Sequence, residues 1–230
     1  MWRVRYGLRA AAVEDVNDEI EAVEAAVAEN AGGINAIINR IAKLESYHTN
    51  ELPSDFTSLN YLESSGEQFI VMNYKPNNNT KVIIKFQTSQ DYVSAGLIAA
   101  DSGWLSNGYG VFTGYIEYGE SFTQYNFNDG FIHTIELNEN GQCYKDGVLI
   151  WTGAQKTFQA SYSFTMFCLN RGGTKRDFYI GKIYECQVIE KSVLKHNLRP
   201  CVNPFGEYGI YDTVEKQFYG NAGTGSFTGG

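Results

Sequence analysis

Thr80-Lys81-Val82-Ile83-Ile84-Lys85-Phe86-Gln87-Thr88 decides the fold class of this 230-residue chain. Val82, Ile84 and Phe86 recur at every second position, with Lys81 and Lys85 among the residues between them. Successive side chains leave a strand on opposite faces, so this period of two is a β-strand with one face in a core. Pro76-Asn77-Asn78-Asn79 is the turn that precedes it, and Gln68 to Met72 is a short apolar strand before that.

The same grammar continues downstream. Strand-like runs cover Tyr92 to Ala99, Phe122 to Phe127 and Phe131 to Leu137, the last two separated by Asn128-Asp129-Gly130. Ser102 to Gly119 is rich in glycine and aromatics and broken by turns. Gln142 to Tyr144 and Val148 to Trp151 flank Lys145-Asp146-Gly147, a tight hairpin signal. Ser161 to Leu169 and Phe178 to Ile189 read as the longest strands. Turn signals at about 8–12-residue intervals predict an all-β sandwich. No helical period appears in this part, save a short helical turn at Ser192 to Asn197.

Upstream the pattern changes. Val13, Val16, Ile20, Val23, Val27, Asn30, Ile34, Ile37, Ile41 and Leu44 form an unbroken heptad seam with steps of three and four. That spacing keeps one apolar stripe facing partner helices in a left-handed supercoil. The alternative is an amphipathic helix packed on its own domain. That helix would want apolar residues at the flanking positions too, and Asn17, Glu24, Ala31 and Gly33 stand there. β-branched residues at both seam positions favour three strands over two, and a lone Asn30 in the seam fixes register. Gly32 and Gly33 each cost about 1 kcal/mol of helix propensity, so a joint is expected there. A continuous stem would be ~50 Å long at ~1.5 Å per residue.

Before the stem, Trp2, Val4, Tyr6 and Leu8 alternate with Arg3, Arg5 and Arg9 around Gly7. This is a strand pattern with no hairpin partner beside it. It reads either as a frayed terminus or as a peptide ordered by docking on another protein. The expected organisation is therefore an attachment peptide at 1–12, a trimerisation stem at 13–46, a linker at 47–55 and a β domain at 56–230.

Charge and composition exclude several classes. The net charge of −8 gives no basic stripe for nucleic acid. No run is long or apolar enough to span a membrane, and Met1 to Ala12 lacks the apolar core of a secretory signal. Cys143, Cys168, Cys186 and Cys201 form no metal-spaced pair. Cys168 and Cys186 sit in apolar runs, so reduced core residues and assembly in a cytoplasm are expected, with one disulfide as the open alternative.

The order Phe131-Ile132-His133-Thr134-Ile135-Glu136-Leu137, then Tyr144-Lys145-Asp146-Gly147, then Phe178-Tyr179-Ile180-Gly181 running to Val188 resembles the laminin-G-like, concanavalin A-like jelly rolls. In those, a strand with a central histidine leads to a hairpin at an Asp-Gly turn, and a later strand opens on Phe and Gly. The opening from Leu52-Pro53 to Phe69-Ile70 looks like the start of such modules in surface and phage-encoded proteins of gut bacteria. So does the ending, from Leu198-Arg199-Pro200-Cys201 through Gly206 to Asp212 and on to Gly223-Thr224-Gly225. The seam in front resembles that of trimeric phage fibre or head-fibre proteins, where an asparagine such as Asn30 turns inward around an anion.

The resemblance implies a homotrimeric virion fibre assembled in the host cytoplasm. It would be anchored on a capsid or tail protein and display lectin-like domains to a cell-surface glycan. A bacterial surface adhesin and a polysaccharide-degrading enzyme are the alternatives. Retaining glycosidases need two carboxylates about 5–5.5 Å apart, and the Glu-x-Asp-x-Glu arrangement of related hydrolases is absent. Glu117 and Glu120, three apart, fall on opposite faces of a strand and read as a surface pair in a loop. His133 shares a face with Phe131, Ile135 and Leu137 and reads as a satisfied, buried histidine. No catalytic residue, cofactor or metal site is expected, since Asp91, Asp101 and Asp146 show no ligand spacing. The candidate glycan-binding residues are Trp104, Tyr109 and Tyr115, with Trp104 lying in a glycine-flanked loop. A Trp104 that merely caps the core is the competing reading.

Overall fold

The structure is a computed structural model that describes residues 21, 23, 24, 27, 29–34, 51–89, 94–103, 107–154 and 156–230. The chain divides into two units, Met1–Thr49 and Asn50–Gly230.

In the first unit the described residues are all helical. Val23, Val27, Asn30 and Ile34 follow each other at steps of four, three and four, so they share one helix face. Val23, Val27 and Ile34 are 62%, 61% and 58% exposed. A helix is present here, but no coiled coil is seen in the single chain. The other seam positions, Val13, Val16, Ile20, Ile37, Ile41 and Leu44, lie outside the described residues, as do the terminal residues Trp2 to Arg9.

The second unit is a β-sandwich. In chain order its strands begin with β1 (Thr57–Ser58), β2 (Leu62–Ser65), β3 (Ile70–Val71), β4 (Thr80–Thr88) and β5 (Gly96–Asp101). They continue with β6 (Gly108–Phe112), β7 (Tyr115–Gly119), β8 (Ser121–Gln124), β9 (Ile132–Leu137), β10 (Gln142–Lys145) and β11 (Val148–Thr152). Then come β12 (Thr165–Met166), β13 (Leu169–Arg171), β14 (Thr174–Arg176) and β15 (Ile180–Glu190). The last are β16 (Val193–Val202), β17 (Tyr208–Asp212), β18 (Gln217–Tyr219) and β19 (Thr228–Gly229).

The larger sheet runs β11-β10-β9-β4-β15-β16-β17-β18, with β1 on β16, and β2 joining β15 to β19. The smaller runs β14-β13-β5-β6-β7-β8, with β12 joining β5 to β3. Among the described residues the pairings are antiparallel, except that β13 runs parallel to β5. Strand β4 alternates strictly between buried and half-buried along its nine residues, as its period demands. Strand β15 keeps the same alternation until its register against β4 shifts between Ile183 and Glu185. This bulge inserts one residue, so the buried set resumes at Cys186 instead of Glu185.

The core lies between the sheets. Val82, Ile84, Phe86, Ile135, Leu137, Ile183 and Val188 from the larger sheet meet Ile98, Tyr109, Val111, Ile116 and Tyr118 from the smaller. All four cysteines are buried and free. Burial pushes the thiols of Cys143 and Cys201 up to about 12 and that of Cys168 to about 11.

Several expectations need correction. Ser161 to Leu169 is not one long strand. Phe167 adopts a positive φ of 65° and separates the short β12 from β13. Ser192 to Asn197 is not a helical turn. Lys191 and Ser192 both take positive φ, making the hairpin that leads into β16. The Lys145-Asp146-Gly147 hairpin is present, with Asp146 and Gly147 at φ 51° and 81° between β10 and β11. Two consecutive positive φ values make the turn whose twist matches the strands it joins. Among the described residues no helix is long and apolar enough to cross a membrane.

Candidate functional site: a groove on the smaller sheet

Strands β5, β6 and β7 are buried on both faces. Ile98, Tyr109, Val111, Ile116 and Tyr118 point into the main core. Alternation sends Ala99, Asp101, Phe112, Tyr115 and Glu117 to the other face. There Ala99, Phe112, Tyr115 and Leu169 form a second apolar cluster, in which the Tyr115 ring stacks on Phe112 at 3.9 Å. Glycines at 108 and 110 make this layer possible. A Cβ at Gly108 would overlap the Glu117 carboxylate, and one at Gly110 would overlap the Phe112 ring.

Beside this cluster a groove of about 630 Å³ opens, lined among others by Tyr115, Phe122, Gln124, Tyr125, Arg171 and Asp177. This is the size of a small-ligand site. Register builds it: Gln124 of β8 lies opposite Tyr115 and Phe122 lies opposite Glu117. Phe122 and Gln124 are exposed, whereas Ser121 and Thr123, which alternate with them, are half-buried.

The charges beneath the groove are organised by burial. Asp101 is 0% exposed, and its Oδ2 accepts from Arg171 Nε at 2.6 Å while its Oδ1 accepts from the Gly103 amide at 2.6 Å. Burial works against the Arg171 charge, but the hydrogen bond and charge of Asp101, with the charge of Glu117, outweigh it and hold the guanidinium ionised. Burial, then the nearby Glu117 carboxylate, pushes the Tyr115 phenol well up, so it remains a neutral hydroxyl. At the rim, Arg176 Nε lies 3.5 Å from Asp177 Oδ2.

Two histidine clusters lie elsewhere. His133, 8% exposed, is bracketed by carboxylates, with Nδ1 2.8 Å from Asp146 Oδ2 and Nε2 2.9 Å from both Asp129 oxygens. Its neighbours Ile135 and Leu137 are buried as expected, but Phe131 is 69% exposed. His196 Nδ1 lies 2.5 Å from Asp212 Oδ2, both residues buried, and the Tyr74 ring meets the imidazole edge-on. Asp212 Oδ1 also accepts from the amides of Asn197 and Val214. Among the described residues no group of three His, Cys, Asp or Glu is placed to hold a metal ion.

The predicted sugar-contacting residues part company here. Tyr109 is fully buried, and its hydroxyl donates to the carbonyls of Leu137 at 2.7 Å and Thr80 at 3.2 Å. It is a core residue that ties β6 to the larger sheet, and no sugar can reach it. Tyr115 is 7% exposed and lines the groove. Trp104 lies outside the described residues, as does Asp91. Glu117 and Glu120 are not a surface loop pair. Glu117 is in β7 and 1% exposed, while Glu120 sits in the β7–β8 turn, ion-paired with Lys156. Sequence reasoning missed Phe122, Gln124, Arg171 and Asp177. The only available signal was that Phe122 and Gln124 share one face of a strand.

No family model matches the chain, and no curated protein matches it. Among solved structures, that of "NanB plus Optactamide" is similar over 59% of this chain and 27% of that one, at 15% identity and a TM-score of 0.39. The chain spans about a quarter of that structure's length, and a likeness so distant carries no argument about function.

Proposed function

We propose that this chain is the subunit of a homotrimeric virion fibre of a bacteriophage. Residues 1–12 anchor it to a capsid or tail protein, a coiled-coil stem joins three copies, and each copy carries a laminin-G-like jelly roll that binds a host-surface glycan. The observation that carries this reading is the helix face on which Val23, Val27 and Ile34 stand exposed at steps of four and seven. A face of this kind is stabilised by burial against copies of itself, at roughly 25 cal/mol per Å² of apolar surface. Three weak sites on one stem give avidity without a strong single contact. Asp101 and Glu117, the carboxyl groups beneath the groove, are 0% and 1% exposed, and Asp101 is ion-paired with Arg171; this supports binding over hydrolysis, which needs a carboxyl group within reach of the glycosidic oxygen.

Sedimentation and light scattering test the assembly. The wild type is expected to be trimeric. Ile34→Asp with Ile37→Asp places unpaired charge in the seam and is expected to give a monomer whose β domain melts as a folded unit. A monomeric or dimeric wild type overturns the fibre. Labelling purified particles with an antibody to this chain tests the virion location, and particles that carry no label overturn it.

A further inference from the structure

We infer that the groove on the outer face of the smaller sheet is the glycan site of this domain, and that its ligand is an uncharged pyranose chain. The inference rests on the adhesive function proposed above and assigns it a place and a ligand class. Phe122, 40% exposed, offers an aromatic ring to the groove, which Tyr125 also lines. Aromatic rings of this kind accept the apolar C–H face of a sugar, while neighbouring amides and hydroxyls satisfy its equatorial hydroxyls. Gln124 shares the strand face of Phe122, and Asn126 and Ser94 complete the uncharged polar lining.

The charges argue for a neutral ligand. Arg171 is held at 2.6 Å by the fully buried Asp101 and lies close to Glu117, so its charge is already balanced from below. Arg176 is balanced by Asp177 at 3.5 Å. A carboxylated or sulfated chain would meet no uncompensated cation among these groups, and it would have Asp177 and Glu117 nearby. A neutral chain faces neither repulsion nor the cost of stripping water from its own charge.

Affinity electrophoresis of the full-length protein tests this, using gels that contain neutral polymers (dextran, mannan, galactan, xylan) or anionic ones (alginate, polygalacturonate). At least one neutral polymer is expected to retard the wild type. Phe122→Ala is expected to weaken that retardation about tenfold, the loss of one stacking contact, and Gln124→Ala to weaken it less. Phe205→Ala removes an 89% exposed ring at a distant turn and is expected to change nothing. Thermal melts confirm that each variant is folded. If Phe122→Ala and Gln124→Ala both bind as the wild type does, the groove is not the site although the adhesive reading stands. Retardation by anionic polymers alone overturns the ligand class. A wild type retarded by no polymer overturns the adhesive reading and this inference with it.

Discussion

Strands β4 and β7 are both interior strands, yet only one of them has a wet face. In β4 the side chains of Val82, Ile84 and Phe86 are buried while Lys81, Ile83, Lys85 and Gln87 are half-buried. In β7 all five residues from Tyr115 to Gly119 are buried, the charged Glu117 included. A strand with one wet face can place its polar residues in water at no cost. A strand dry on both sides must find partners for them inside the protein. The smaller sheet does so for Asp101, which pairs with Arg171, while its glycines leave the room in which the Glu117 carboxylate and the Phe112 ring lie beside the backbone.

The largest effect should come from the larger sheet. Phe86 is fully buried and meets the rings of Phe127 and His133. Phe86→Ala is expected to cost about 3–5 kcal/mol of stability in urea denaturation, as a cavity among fixed neighbours does. A loss below 1 kcal/mol would mean that this face of the sandwich repacks.

Asp101→Ala probes the dry sheet. It removes one partner of an ion pair and leaves the Arg171 guanidinium beside Glu117. Arg171 keeps about a fifth of its side chain in water, which brings the expected loss down to about 2–3 kcal/mol, below the full cost of breaking a buried pair. The double variant Asp101→Ala with Arg171→Met should recover part of it. If Asp101→Ala is neutral, the two sheets do not differ in the way described.

The smallest effect is a pH dependence. Burial raises the Asp212 carboxyl, but the hydrogen bond from His196 and the amides of Asn197 and Val214 outweigh it and hold the group below its ordinary value. Asp129 and Asp146 are likewise held low: burial again opposes, the amides of Phe131 and Thr134 respectively contribute most, and His133 adds to both. A carboxyl group with a lowered folded-state pKa contributes stability that is present above the unfolded value and lost as pH falls through the folded one. The denaturation midpoint should therefore hold from neutral pH to about 5 and decline below about 4. Asp212→Asn should flatten the decline more than Asp129→Asn, because the Asp129 side chain is 40% exposed and Asp212 is fully buried. An unchanged profile in Asp212→Asn would remove this residue from the account.

The same contrast explains what the sequence disclosed. Thr80 to Thr88 was legible residue by residue because water sits on one side of it. The Asp146-Gly147 hairpin was legible because only certain residues tolerate its two positive φ values. Strands β6 and β7 were not. With both faces dry, Gly108-Tyr109-Gly110 has no alternation to betray it and reads as loop, which is how a core tyrosine came to be expected in a binding surface. The groove was half visible. Tyr115 stood out as an aromatic in a turn-rich stretch, but Arg171 reaches the site from more than fifty residues away by the parallel pairing of β13 with β5, and Asp177, after β14, by accepting the Gly96 amide on its carbonyl. Nothing local in the sequence encodes that pairing.

The four cysteines have a use beyond packing. Each is free, sealed from solvent and spaced along the fold: Cys143 in β10, Cys168 between β12 and β13, Cys186 in β15 and Cys201 in β16. Their raised values leave almost no thiolate at neutral pH in the closed protein, whereas a thiol freed by opening returns to the ordinary range near 8.5 and reacts. A thiol reagent added to the native protein therefore reads four independent clocks. Thiols that react together mark strands that open as one cooperative unit, and thiols that react apart mark where the sandwich comes undone first.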